Sequence, residues 1–378
     1  MSLQSAFTLN SNEIFSSIAN MIISQEVFAD NLSKHQTLVD KARVDGGLYG
    51  DKKLYYATDV LASAAWGNDA EAANLLALAR PSDPEVQDIT LDVFRQIRLT
   101  VDEYLSKRAW SDEGAFTQFN AVMLGWMRET KRVYEGTLYN VFVGTTASNV
   151  GKQSVSVDIT TARGSASSEE EANRLEAEAI AQSLADLLVE MGDYSRDFND
   201  YGFLRSYSED AIKVVWNSKF VNKIRKIDLP TIFHKEGLVD KFDEDILPSR
   251  YFGRAVTEAD IGSGKIIGTD GAYDSTKGTL RAKYEFDYNN KHYFPGDALA
   301  TSGTYVAVVG GLEASVVYIE DADVICKVLV KLPPIMSAFE VGTSFFNPRS
   351  LTETHYLTWG HNTLEYLKNY PFITVKKI

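Results

Sequence analysis

Cysteine is nearly missing from this 378-residue chain, which holds one, Cys326. A lone cysteine excludes an intrachain disulfide and fits a reducing compartment. It stands in the apolar run VICKVLV, where it reads as a small buried hydrophobe. Positive charge is short as well. Lys and Arg number 38 against 52 Asp and Glu, a net charge of −14, with a pI near 4.9. That balance argues against free binding to nucleic acid, which needs clustered cations to neutralise phosphates. It leaves open enclosing nucleic acid at a distance. No apolar run approaches the ~18 residues of a membrane span. No basic residue precedes Lys34, so no ordinary signal peptide is expected, and the chain reads as soluble and made in the cytoplasm.

Sequence signals for chemistry are also sparse. The five histidines, His35, His234, His292, His355 and His361, show no zinc spacing. Gly262-Ser263-Gly264-Lys265 resembles a phosphate-binding fragment. A P-loop, however, needs a further Gly where Ala259 stands and Ser or Thr where Ile266 stands. The dinucleotide fingerprint fails too, because the third Gly comes one position late, at Gly268. A surface loop is the better reading. Asp243, Glu244 and Asp245 lack the calcium-loop pattern, and the acidic start Glu169-Glu170-Glu171 reads as a solvated helix cap. No nucleophile elbow, Cys–His signature or paired-carboxylate motif stands out. Catalytic, cofactor-binding and metal residues are therefore all read as none, and the chain as a non-enzyme.

Hydrophobic residues, by contrast, make up 44% of the chain, with 19 Tyr, 19 Phe and 5 Trp. That is ample for one large or two medium cores. Aromatic residues also dominate large interfaces. Ile14, Ile18, Met21, Ile22 and Phe28 lie on one helical stripe behind a Ser11 cap. This stripe must bury against its own domain or a neighbouring subunit. Residues 41–88, with three Gly between Val44 and Asp59, an Ala-rich piece and a Pro81/Pro84 stop, suit a projecting lobe. ITLDVFRQIRLTVDEYL alternates as a long strand, broken at Arg95. A helix of about 25 residues, about 37 Å long, is expected from Ser111 to Gly136, with Phe116, Phe119, Met123, Trp126, Met127 and Val133 on its apolar face. A second starts at the capping box Ser168–Glu171 and ends at Gly192. Strands dominate after residue 200. TLRAKYEFDYNNKHYF and YVAVVGGLEASVVYIE read as hairpins, and residues 323–331 and 372–378 as further strands. In DAIKVVWNSKFVNKIRK a buried strand feeds a helix through Asn217-Ser218, a unit read as architecture rather than a binding site.

Three stretches carry a resemblance. They are the long helix running into YNVFVGTTAS, the segment from Phe198 to Leu238, and MSAFEVGTSFFNPRSLTETHYLTWG from Met336 to Gly360. In these, and in the order of its elements, the chain resembles tailed-bacteriophage major capsid proteins with the Hong Kong 97-type (Johnson) fold, above all those of small short-tailed phages. The resemblance implies an α+β fold. Residues 1–40 would be an N-terminal arm and 41–97 an extended loop region with its leading strand. Residues 98–140 would form a peripheral domain with a spine helix, 141–335 an axial domain, and 336–378 a peripheral return with the closing strand. It implies self-assembly into hexamers and pentamers of an icosahedral shell enclosing DNA without sequence-specific binding and without a membrane. A separate scaffolding protein, a portal and a cement protein would be the partners, and the virion capsid, built in the host cytoplasm, the location. No residue pair is assigned to covalent cross-linking. An encapsulin-type compartment sharing the fold, and an α+β enzyme using the Gly262 loop for a phosphate, are the alternatives.

Overall fold

The computed structural model describes residues 37–46, 52–61, 63, 80–102, 113–148, 151–225, 243–255, 280–283, 285–288, 291–298 and 317–378. The Ser11-capped stripe, the Ala-rich piece, the helix start at Ser111, the Gly262 loop and residues 289–290 within TLRAKYEFDYNNKHYF lie outside them. In chain order the first elements are α1 (Leu38–Ala42), β1 (Arg43–Asp45), β2 (Lys52–Ala57), β3 (Glu85–Asp102) and α2 (Glu113–Thr145). Next come β4 (Ser154–Val157), α3 (Ile159–Gly164), α4 (Glu169–Gly192), β5 (Lys213–Asn217), α5 (Ser218–Arg225), β6 (Asp243–Leu247) and β7 (Gly253–Ala255). The rest are β8 (Leu280–Ala282), β9 (Phe286–Tyr288), β10 (Lys291–Tyr293), β11 (Val317–Glu320), β12 (Val324–Leu329), β13 (Ile335–Asn347), β14 (Thr352–Asn362) and β15 (Phe372–Lys377).

The chain divides into two compact units. The first takes the described residues within 1–52, 90–139 and 334–364. Its strands run in the order β1-β13-β14-β3. β13 and β14 form a hairpin whose turn holds Leu351 at φ 55°. Paired residues of neighbouring strands share a face. One face therefore holds Glu340, Trp359 and Arg95 in a row, with Ser337, His361 and Val93 beside it. α2 packs on this face. The ring of Tyr134 meets Trp359 edge-on at 6.1 Å, and its hydroxyl lies 3.2 Å from His361 Nε2. Lys131 donates to Glu340 at 2.7 Å, and Arg43 donates to the buried Glu135 at 2.9 Å. Buried charges persist when paired in this way.

The second unit takes the described residues within 53–89, 140–333 and 365–378. Its main sheet runs β4-β15-β12-β5-β6, with β4–β15 and β5–β6 parallel and the rest antiparallel. β12 is buried along its whole length, as expected of a central strand covered on both faces. One face, with Val214, Cys326, Val328, Ile373 and Val375, packs on Ile180, Leu187, Leu188 and Met191 of α4. The opposite face, with Phe372, lies against the end of α2, where Phe142 and Phe372 rings are 6.3 Å apart. Smaller sheets, β7-β11-β8 and β10-β9, complete the described part of the unit.

Several expectations are corrected. α2 does not stop at Gly136 but runs through 33 residues to Thr145, about 50 Å. One glycine costs a helix interior only about 1 kcal/mol, and the buried Tyr139, Val141, Phe142 and Val143 beyond it outweigh that. The strand expected from Leu280 to Tyr288 is two short strands, because β8 pairs with β11 and β9 with β10. Within the tail from residue 336, β13 and β14 belong to the first unit and β15 to the sheet of the second. α4, from Glu169 to Gly192, begins and ends as its capping signals foretold.

Candidate functional site

Among the described residues, those weighed for chemistry make structural contacts. Asn217 ends β5. Its side-chain amide donates to the Val324 carbonyl at 2.9 Å, and its oxygen accepts from Lys219 N–H at 3.1 Å. It thereby ties two strands together while starting α5. The Asp243–Asp245 run forms β6, and Asp245 pairs with Lys213 at 2.8 Å. Glu171 N–H donates to Ser168 Oγ at 3.2 Å, while the Glu171 carboxylate reaches back to Ser167, at 2.9 Å from its N–H. The box is thus shifted by one residue from its usual form. Cys326 is fully buried, and burial pushes its thiol well above the usual range. His361 is buried and held towards its neutral form by desolvation. His292 meets Glu285 at 2.7 Å, and His355 stands on β14 opposite Leu99. Among the described residues no three of His, Cys, Asp and Glu gather as a metal site.

A cavity of about 40 Å³ in the second unit is lined by Tyr55, Tyr56, Gln87, Tyr201, Leu367, Asn369 and Tyr370. It has room for about one water, whereas small-molecule sites span about 300 to 1,000 Å³. Polar side chains serve as ties in the same unit. Asp200 accepts from Ser148 at 3.0 Å and Gln153 at 3.2 Å, and Tyr366 donates to its other oxygen at 2.5 Å. Asp59 accepts from Leu204 N–H at 3.0 Å and Arg196 at 2.5 Å. Those bonds hold its carboxyl at about 2, well below the usual carboxylate range.

What stands out is surface rather than cleft. The face of the β13–β14–β3 sheet away from α2 carries the rows Phe345–Thr354–Thr100, Thr343–Tyr356–Arg98 and Val341–Thr358–Gln96, with Gly360–Phe94 beyond. Phe345 is 61% exposed and Phe94 58%, with Val341 also exposed. Gln96 donates to Thr358 at 3.0 Å, and the Thr100 and Thr354 hydroxyls meet at 3.0 Å, which keeps the rows in register. Phe94 lies over Gly360, where an added Cβ would come within 3.3 Å of its ring. A fixed sheet face with large apolar side chains left in water is suited to meeting another protein surface. The sequence did not single this face out. Its signal was the alternation of Val341, Thr343 and Phe345 and the Thr/Tyr/Trp run of β14.

No family model matches this sequence, and no curated protein matches it significantly. Solved structures do. A chain in the capsid structure of Staphylococcus phage Andhra aligns over 90% of this chain and 84% of its own, with a TM-score of 0.55 at 10% identity. A chain in the structure of the head fiber and inner core protein gp22 of native bacteriophage P68 aligns over 90% and 87%, with a TM-score of 0.56 at 11% identity. The chain has the Hong Kong 97-type capsid fold. That α+β fold, anticipated from three stretches of sequence, spans nearly all of the chain. At such low identity it is the arrangement of elements, not the residues, that is shared.

Proposed function

We propose that this chain is a major capsid (head) subunit that self-assembles into the icosahedral shell enclosing the double-stranded DNA of a tailed phage. The observation that carries the reading is the capsid fold extending over 90% of the chain. The open sheet face supports it, since exposed Phe94, Val341 and Phe345 gain from burial against another subunit at about 25 cal/mol per Å². On this reading residues 1–40 act as the arm, 41–97 as the extended loop region, 98–140 and 336–378 as the peripheral domain, and 141–335 as the axial domain. Copies form hexamers and pentamers, built in the host cytoplasm with a separate scaffolding protein and a portal, and a cement protein can reinforce the shell. The role is structural and asks for no catalytic group. The acidic chain lets DNA pack inside without adhering.

Negative-stain microscopy of the expressed chain, alone and with a candidate scaffolding protein, tests the proposal. Closed particles of uniform size are expected. A compact monomer that never closes into particles, under any scaffold, salt or concentration tried, overturns it.

A further inference from the structure

Lys327 lies at the middle of the central strand β12 and is only 2% exposed. Its ammonium nitrogen donates to the carbonyl of Thr146, the first residue after α2, and to Thr374 Oγ1 of β15 at 2.6 Å. The ring of Phe372 lies 5.3 Å away. Among the described residues no carboxylate forms an ion pair with it. The other lysines of this sheet face are matched: Lys213 pairs with Asp245 at 2.8 Å and Lys376 with Asp321 at 2.9 Å. α2 carries no basic residue in its last turn, so its final carbonyls depend on groups from elsewhere. Lys327 supplies one, from within the same unit.

We infer that Lys327 is a proton-sensitive clamp on the end of α2: unprotonated, it holds the helix end against the sheet, and protonated, it strains that junction. An unprotonated amine has two N–H donors, and two oxygen acceptors are present. An ammonium has three and a full charge to desolvate. The helix dipole and the Phe372 ring favour the charged form. So do the Asp321 carboxylate, which serves Lys376, and the adjoining Cys326. Burial opposes it and is the largest influence, followed by the neighbouring Lys376. Together these bring the amine down to about 7. The helix end itself, 140–146, presents no titratable side chain. Asp245, across Val215 on the same face, is matched to Lys213.

The sign follows. In the unfolded chain a lysine keeps its proton to about pH 10.4. Between about pH 7 and 10 the unfolded state therefore binds one proton more, and stability rises with pH through that window. This holds whether or not the chain builds a shell.

Lysine 13Cε NMR of the full chain is the test. One resonance should titrate near neutrality, vanish in Lys327→Met, and move its midpoint in Thr374→Val, which removes one acceptor. Urea unfolding adds a second reading. From about pH 7.5 to 9.5 the folding constant of the native chain should gain close to tenfold per pH unit over that of Lys327→Met. The inference is overturned if every lysine stays charged past about pH 9, if the neutral titration survives in Lys327→Met or ignores Thr374→Val, or if the two unfolding profiles run parallel.

Discussion

A hydrogen is all that fits on the α-carbon of Gly144. A Cβ built there would stand 1.9 Å from the carbonyl oxygen of Tyr251, a backbone atom that cannot swing aside. Gly144→Ala should cost about 2 to 3 kcal/mol in urea unfolding. Gly136, eight residues earlier in the same helix, has nothing within 4 Å of the same position. Gly136→Ala should stabilise by about 0.5 to 1 kcal/mol. Equal effects of the two changes would show that the close approach at Gly144 relaxes freely. Asp59 gives a pH prediction of the opposite sign to Lys327. Its folded carboxyl sits at about 2 because Leu204 N–H and Arg196 favour the anion. It therefore adds stability above the unfolded value of about 3.9, and that part is lost as pH falls towards 2. Asp59→Asn should flatten the acid limb of the stability profile there. An unchanged acid limb would mean that the tie between residue 59 and the loop 196–204 does not persist in solution.

Elements were legible where one local rule governed them. α4 has a serine cap, three leading glutamates, an apolar stripe and a terminal glycine, and it begins and ends where these stand. Ser168→Ala should cost about 1 kcal/mol and Ser168→Gly only a few tenths, read by urea unfolding. A larger loss would point to Ser168 holding more than the helix start. β3 was legible from its odd-numbered apolar residues, and β12 and β15 from short β-branched runs. The end of α2 was not, because Gly136 looks like a stop and only tertiary burial of Tyr139 to Val143 overrides it. β8 and β9 read as one strand in the sequence because alternation persists through a change of partner strand. The long β13–β14 hairpin went unspecified because its exposed face and small residues, Gly342 and Ser344, dilute the alternation. The tie points Lys131, Glu135, Asp200 and Lys327 were invisible for a different reason. A buried polar group is defined by partners dozens to hundreds of residues away, and sequence spacing carries no record of them.

At the scale of the whole molecule, charge and apolar surface act against each other. On the proposed function every copy carries −14, so bringing copies together raises their mutual repulsion, while burying Phe94, Val341 and Phe345 would lower the free energy. The two respond differently to salt. Screening shortens from about 30 Å at 0.01 M to about 10 Å at 0.1 M, whereas apolar burial changes little over that range. Assembly followed by light scattering should therefore quicken as ionic strength rises through that interval. Phe345→Asp should abolish particles at every salt concentration while leaving the far-ultraviolet circular dichroism unchanged, because Phe345 is 61% exposed and supports little of its own subunit. A rate that stays flat or falls with salt would remove repulsion as the barrier. Normal particles from Phe345→Asp would move the contact between copies away from this sheet face.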